Sequence, residues 1–179
     1  NRRNSEKIPK PMSIKKILSI MLFSFVCSAT YGEENLKSIG KFKDWQTFIL
    51  SQEGTKICFA QSVPILRAPK KLKRQPSRLF VSFRPKENIK NEISVTNGYT
   101  FKPKAPVTAK SGKKSYDLFS KGNFAWVVDA DDEKKLILTM KKASRLMIIA
   151  NTDKGDQTTD HYSMMGFSKA YNAARKSCS

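Results

Sequence analysis

The only histidine of the chain, His161, lies among residue types that could serve acid–base or nucleophilic catalysis. Asp160 precedes it directly, and Ser163 follows two positions later. On a strand, adjacent side chains point to opposite faces, so Asp160 could not orient the imidazole of His161. Ser163 would share a face with His161, but no G-x-S-x-G elbow surrounds it. The spacing favours no hydrolytic triad, and we predict that the protein is not an enzyme.

The residues that could bind a metal or a phosphate are not spaced for it either. One histidine and widely separated cysteines give none of the C-x-x-C or H-E-x-x-H spacings of zinc sites. The acidic run at 129–133 resembles a calcium loop, but it lacks the central glycine and the distal glutamate of an EF-hand. It suits the negatively charged start of a helix better. The glycines are scattered singly, and we predict no metal and no cofactor.

Residues 12–32 have the pattern of a secretory signal peptide. Two lysines precede an apolar run at 17–27, and small residues follow. The apolar run is shorter than the roughly 20 residues that span a bilayer, so a retained anchor is disfavoured. We expect cleavage after Gly32, with Ala29 as the alternative. The processed chain would then lie in the periplasm, at the outer envelope or outside the cell.

The remaining sequence has the length of one domain. Residues 1–11 are polar and basic, and we expect them to be a disordered extension outside the fold. Residues 33–179 carry 28 basic and 14 acidic side chains, a formal net charge of +14. Such a charge favours anionic partners. A genome that is rich in lysine codons would produce the same excess, so the charge by itself does not establish a partner.

The densest group of cations lies in a segment at 67–78 that two prolines predict to be a loop. It could contact anionic headgroups or lipopolysaccharide phosphates, an attraction that salt would weaken. A solvated loop without a partner is the alternative. Because we expect the protein to be exported, we predict no nucleic-acid contact. The candidate anion-binding residues are Arg67, Lys70, Lys71, Lys73, Arg74 and Arg78.

Two cysteines remain after removal of Cys27 with the signal peptide. Cys58 and Cys178 are an even number in a compartment that we expect to be oxidising, which favours a disulfide between them. The bond would close a long loop and stabilise the fold by roughly 4–5 kcal/mol in the chain-entropy treatment. Two buried thiols that never meet are the alternative.

The sequence predicts a mainly β fold, an antiparallel β-sandwich or barrel with short strands at regular spacing. Asn97-Gly98 between two alternating runs predicts a hairpin with a type I′ turn. The turn at 153–156 predicts a second hairpin. Candidate strands lie at 46–50, 56–61, 78–84, 92–96, 99–102, 107–109, 115–119, 124–128, 145–150 and 158–162.

Two stretches favour helices. Residues 131–142 begin with acids and end with lysines, which suits a helix dipole, although alternation also permits a strand there. Near 166–177 an amphipathic stripe predicts a C-terminal helix that places Cys178 on its packed face. The large apolar residues that we assign to the core are Trp45, Phe48, Phe80, Phe83, Tyr99, Phe101, Trp126 and Tyr171.

In chain order, short motifs of residues 33–179 resemble the invasion-associated locus B family of exported alphaproteobacterial proteins. The run at 160–170 is similar to the family's Asp-x-Tyr-Ser-Leu-x-Gly-Phe-x-x-Ala, with His161 and Met164-Met165 as local variants. Thr100 replaces a proline that is usual in the family. The other matching positions are Asp44-Trp45, Cys58-Phe59, residues 91–95, residues 98–101, Ala125-Trp126, residues 138–142 and Cys178.

The resemblance implies a β-sandwich of the periplasm or outer envelope, linked in some pathogens to invasion of host cells. It supplies no catalytic residues. We therefore expect an exported, non-enzymatic binding protein whose partner is an envelope or host-surface protein, or an anionic envelope component. Two alternatives remain open. One is a polyanion-, lipopolysaccharide- or membrane-surface-binding protein that uses residues 67–78, and the other is an exported enzyme with an unrecognised site.

Overall fold

The computed structural model describes residues 35–179, so the predicted signal peptide at 12–32 and the extension at 1–11 lie outside the described residues. No helix within the described part is long and apolar enough to cross a membrane. The helices are α1 (Ala130–Lys142) and α2 (Phe167–Ser177), and a short 3-10 turn lies at Pro85–Glu87. The strands are β1 (Asn35–Phe42), β2 (Trp45–Gln52), β3 (Thr55–Ser62), β4 (Leu66–Ala68), β5 (Arg78–Arg84), β6 (Ile89–Thr96), β7 (Val107–Ser111), β8 (Lys114–Lys121), β9 (Phe124–Trp126), β10 (Arg145–Asn151) and β11 (Gln157–Ser163).

All strands pair antiparallel in one sheet, in the order β1-β2-β3-β5-β6-β9-β8-β7-β10-β11-β4, which confirms the mainly β prediction. Strand β8 joins two halves of this sheet, because residues 114–118 pair with β7 and residues 119–121 pair with β9. Buried side chains from both halves, such as Val81 and Ile148, belong to a single hydrophobic core. The two layers of the sandwich are therefore continuous through β8. The first layer contains β1, β2, β3, β5, β6 and β9, and the second contains β7, β10, β11 and β4.

Both predicted helices are present, and the strand alternative at 131–142 is excluded. The acidic run forms the start of α1, where Oδ1 of Asp129 accepts the backbone N–H groups of Asp131 and Asp132 at 3.0 and 2.8 Å. Helix α2 packs on β1, β2, β3 and β5. Its buried residues are those of the predicted stripe: Phe167, Ala170, Tyr171 and Ala174.

The predicted hairpin at Asn97-Gly98 is wrong. Strand β6 ends before it, and Phe101 forms only an isolated bridge, with Thr152. Gly98 instead meets another part of the chain, since its carbonyl accepts the N–H of Gln75 at 3.0 Å. A Cβ atom on Gly98 would lie 1.9 Å from the Gln75 carbonyl oxygen, and its φ is +78°. Glycine is required here by a close approach of two chain segments rather than by a tight turn.

The predicted disulfide between Cys58 and Cys178 is confirmed. It links β3 to the residue that follows α2, with a Cα–Cα distance of 5.8 Å. Cys58 is fully buried on the face of the sheet that α2 covers. The bond therefore fastens the end of the helix to the middle of the first layer.

We expect Cys178→Ser in the processed chain to lower the free energy of unfolding by about 2–4 kcal/mol, because the covalent restriction on the unfolded chain is lost. Urea denaturation measures this change, and reduction of the wild-type protein should reproduce it. Lys176→Ala, at an exposed position of the same helix end, serves as the control and should leave stability unchanged. Two titratable thiols in the folded, unreduced protein would contradict the bond.

Candidate binding surface

The first layer of the sheet presents aromatic side chains on the face that points away from the core. Alternation along a strand sends successive side chains to opposite faces, so Cys58 lies inside and Phe59 outside. Residues that are paired on neighbouring strands point to the same face of the sheet. Phe48 is paired with Phe59, and Phe80 is paired with Gln61, so these side chains also point outward. We call the outward set the aromatic face; it consists of Phe48, Phe59, Phe80, Phe119, Phe124 and Trp126.

The rings of the aromatic face form two groups. Phe59 lies between Phe48 and Phe80, with centroid distances of 5.4 and 6.0 Å. In the second group, Phe119 and Trp126 meet edge to face at 5.3 Å. Phe119 and the neighbouring Phe124 are 54% and 44% exposed, and Trp126 is half-buried, so the second group is partly open to solvent. An exposed patch of large apolar side chains is typical of interaction surfaces.

A groove separates the two groups. Phe80, Ser94 and Trp126 are consecutive cross-strand neighbours on β5, β6 and β9. Two strand spacings therefore separate the aromatic walls, about 10 Å from strand to strand. The groove has a volume of about 590 Å³. We call it the aromatic groove; its lining residues are Phe59, Phe80, Ser82, Arg84, Glu92, Ser94, Lys121, Phe124 and Trp126.

Polar groups of the aromatic groove fall into paired and unpaired sets. Arg84 donates two hydrogen bonds to Glu92, at 2.8 and 2.7 Å, and these bonds raise the pKa of the Arg84 guanidinium above its usual value. In the described part of the chain, the hydroxyls of Ser82 and Ser94 have no hydrogen-bond partner, and Lys121 has no ion pair. The groove therefore offers free donors, free acceptors and one uncompensated positive charge.

The assignment of eight large residues to the core is correct for only part of that set. That a residue is aromatic does not show which face of a strand it occupies, but its spacing from a buried residue does. Phe48 lies three positions after the buried Trp45, an odd number, so the two side chains point to opposite faces. Tyr99 is half-buried, and its hydroxyl lies 2.5 Å from that of Thr158. Those that are buried are Trp45, Phe83, Phe101 and Tyr171. Those that are half-exposed on the aromatic face are Phe48, Phe80 and Trp126.

In the basic segment, Arg74 points into the protein. Its side chain is 2% exposed and forms two hydrogen bonds with Asp160, which is fully buried. The Nη1–Oδ2 distance is 2.9 Å, and Nη1 also donates to the carbonyl of Asn97 at 3.2 Å. Arg67 is half-buried and donates to the carbonyl of Gln75 at 2.6 Å. These two arginines hold the segment against the second layer of the sheet.

The other cations of the segment lie at the surface or near it. Lys70, Lys71 and Lys73 are exposed, and Arg78 is half-buried at the start of β5. The segment is not entirely a loop, because its beginning forms β4, the outermost strand of the second layer. Three exposed aliphatic side chains occur at the same edge: Val63, Ile65 and Leu66.

The residues near His161 do not assemble into a nucleophilic site. Asp160 and His161 point to opposite faces of β11 as expected, and the carboxylate of Asp160 is bound by Arg74. The hydroxyl of Ser163 accepts the N–H of Met165 at 3.2 Å. Nδ1 of His161 is buried and has no hydrogen-bond partner among residues 35–179. Among residues 35–179, no cluster of three or more histidine, cysteine or acidic side chains could hold a metal ion.

The sequence motif at 160–170 has a structural role in the fold. The indole N–H of Trp45 donates to the carbonyl of Ser163 at 2.9 Å, and its ring lies 4.9 Å from that of Phe167. Gly166 has a φ of +91°, and a Cβ atom there would lie 1.8 Å from the carbonyl oxygen of Phe42. The motif therefore joins the β1–β2 turn to the start of α2.

Comparison with solved structures identifies a similar fold. The chain matches the crystal structure of invasion associated protein b from Bartonella henselae with a TM-score of 0.55 and 12% sequence identity. The match covers 77% of this chain and 95% of that one. No family model and no curated protein matches the sequence. The resemblance that the sequence motifs indicate is therefore confirmed at the level of the fold.

We expect Asp160→Ala to lower the free energy of unfolding by about 3–5 kcal/mol, because it leaves the buried guanidinium of Arg74 without a counter-charge. Urea denaturation measures the loss. The neighbouring exposed Lys73 provides the control, since Lys73→Ala should change stability by no more than about 0.5 kcal/mol. Equal stability of the two variants would show that the ion pair does not hold the segment.

Proposed function

We propose that the protein is an exported binding protein of the cell envelope, without catalytic activity, which binds its partner through the aromatic face. The placement of six aromatic side chains, two exposed and four half-exposed, on the outer face of the sheet carries this proposal. Aromatic residues supply a large share of binding energy at protein surfaces because they bury much area at little entropic cost. In the described part of the chain, both helices pack elsewhere and leave this face in contact with solvent.

Export is supported by two independent features. Residues 12–32 have the charge and apolar order of a signal peptide. The disulfide between Cys58 and Cys178 is of the kind that persists in oxidising compartments. The similar solved structure is of a protein named for its association with invasion. By this analogy of fold, we extend the proposal to contact with the surface of a host cell.

We propose that the protein has no catalytic activity because of the positions of Asp160, His161 and Ser163, the residue types that could have served catalysis. The carboxylate of Asp160 serves Arg74, and the hydroxyl of Ser163 caps a backbone N–H. Neither group is directed at His161 as a triad would need. The aromatic groove contains a carboxylate and a guanidinium, those of Glu92 and Arg84, but they are bound to each other.

The test is capture of partners from a solubilised envelope extract by the processed protein on a support. We expect the double variant Phe80→Ser/Trp126→Ser to retain at least tenfold less of any specifically captured partner, because each aromatic hot spot contributes about 2 kcal/mol. Quantitative mass spectrometry of the eluates measures the loss.

The matched control is Val128→Ser/Leu138→Ser, which removes two exposed apolar side chains outside the aromatic face. This control should capture the same partners as the wild type. Equal losses in both double variants would show that the partner binds exposed apolar residues in general. Full capture by the Phe80/Trp126 variant would contradict the proposed surface.

A second candidate function is attachment to an anionic membrane surface by the β4 edge, which we define as residues 63–73. The observation that favours it is the succession of exposed aliphatic side chains and exposed lysines along this one edge. Apolar side chains can enter the boundary between headgroups and acyl chains, and lysines attract anionic headgroups. A soluble polyanion would use the lysines alone.

We expect the triple variant Lys70→Ser/Lys71→Ser/Lys73→Ser to bind phosphatidylglycerol vesicles roughly 100-fold more weakly, since each lysine near the surface contributes about 1 kcal/mol. Co-sedimentation at low and high salt measures the change. The control Lys110→Ser/Lys113→Ser/Lys114→Ser removes the same charge from other exposed positions. If both triple variants lose binding equally, net charge rather than the β4 edge is responsible.

A further inference from the structure

The aromatic groove combines aromatic walls with a polar floor. The floor consists of Ser82 and Ser94, whose hydroxyls are unpartnered among the described residues, and the indole N–H of Trp126 likewise has no acceptor there. A purely apolar ligand would cover these groups and leave them without hydrogen bonds, which is unfavourable. The lining therefore suits a ligand that has an apolar flat surface and hydroxyl groups at its rim.

The rim of the aromatic groove is positively charged. Lys121 is the last residue of β8, and it also lines a second depression, of about 610 Å³. That depression is lined by Lys104, Phe119 and Lys121, among others. Neither lysine has an ion pair within residues 35–179. The two depressions therefore share one free cation, Lys121, and the second adds the ring of Phe119 and the charge of Lys104.

We infer that the aromatic groove and the adjoining depression bind an acidic oligosaccharide. One pyranose ring lies between Phe80 and Trp126, with its hydroxyls bonded to Ser82 and Ser94. A carboxylate of the sugar chain pairs with Lys121, and the next units pass over Phe119. This inference rests on the proposed function, because it names the ligand class of the same aromatic face.

The dimensions and the charge agree with such a ligand. A ring that contacts two aromatic walls at 3.5–4.0 Å each needs walls about 7–8 Å apart, which two strand spacings of about 10 Å can provide. A carboxylate complements Lys121 as well as the net positive charge of residues 33–179. A peptide that inserted an aromatic side chain would satisfy the walls but not the two hydroxyls of the floor.

The experiment uses a hyaluronan hexasaccharide as the acidic probe and chitohexaose as a neutral probe of the same length, with the processed protein in isothermal titration. We expect hyaluronan to bind at least tenfold more tightly than chitohexaose. Lys121→Ser should remove this preference, and Trp126→Ser should weaken the binding of both probes at least tenfold. Ser94→Ala, which preserves the surface of the sheet, should weaken both probes severalfold.

Two controls locate the ligand. Lys113→Ser removes an exposed charge at the opposite end of the β7–β8 hairpin and should leave binding unchanged. The Lys70/Lys71/Lys73 triple variant should also bind hyaluronan normally. Loss of binding in that variant, together with full binding by Trp126→Ser, would place the polyanion at the β4 edge and overturn the inference. Circular dichroism establishes that each variant is folded.

Failure of the inference is distinguishable from failure of the proposed function. If neither probe binds at millimolar concentration while capture from envelope extracts still depends on Phe80 and Trp126, the aromatic face binds another class of partner. Digestion of the captured material with protease then identifies a protein. That result overturns the oligosaccharide inference and leaves the binding surface in place.

Discussion

Both ends of helix α2 are fixed to the inner face of the first layer. This attachment determines which face of the layer is buried and which is exposed. At the start, Gly166 allows the chain to approach the carbonyl of Phe42, and Phe167 packs on Trp45. At the end, the disulfide from Cys178 reaches the fully buried Cys58. A helix held at both ends fixes which side of β2, β3 and β5 is the core. Within the described residues, the aromatic face is left uncovered because the helix lies on the other side.

The second layer depends on a different interaction, the buried pair of Arg74 and Asp160. The segment that follows β4 would otherwise be a long, highly charged connection, and one guanidinium anchors it to β11 and to the carbonyl of Asn97. The approach of Gln75 to Gly98 adds a backbone hydrogen bond to the same junction. The most basic part of the sequence thus contributes a buried ion pair that stabilises the fold, as well as exposed lysines.

Much of the secondary structure follows from local patterns. Strand β5 has the predicted bounds, α1 begins one residue early, and the turn at 153–156 joins β10 to β11 as expected. Two edge strands escaped prediction: β1 has a mixed polar sequence, and β4 is three residues long within the basic segment. Strand β1 is stabilised by pairing with β2, and β4 by pairing with β11, which is distant from it in the sequence. Such pairing cannot be predicted from local strand propensity.

The sequence by itself determined the antiparallel β class, the two helices, the cysteine pair and the segment that suggests export, because each depends on local periodicity, charge order or a count of residues. Only the tertiary structure decided that Phe80 and Trp126 face solvent across a serine floor and that Arg74 is buried while Lys73 is not. Those outcomes depend on which surface α2 covers and on the pairing of Arg74 with Asp160, 86 positions further along the chain. Aromatic residues occur on both faces of these strands, so residue type does not show which face is buried. Only the packing of the helix determines which face remains available for binding.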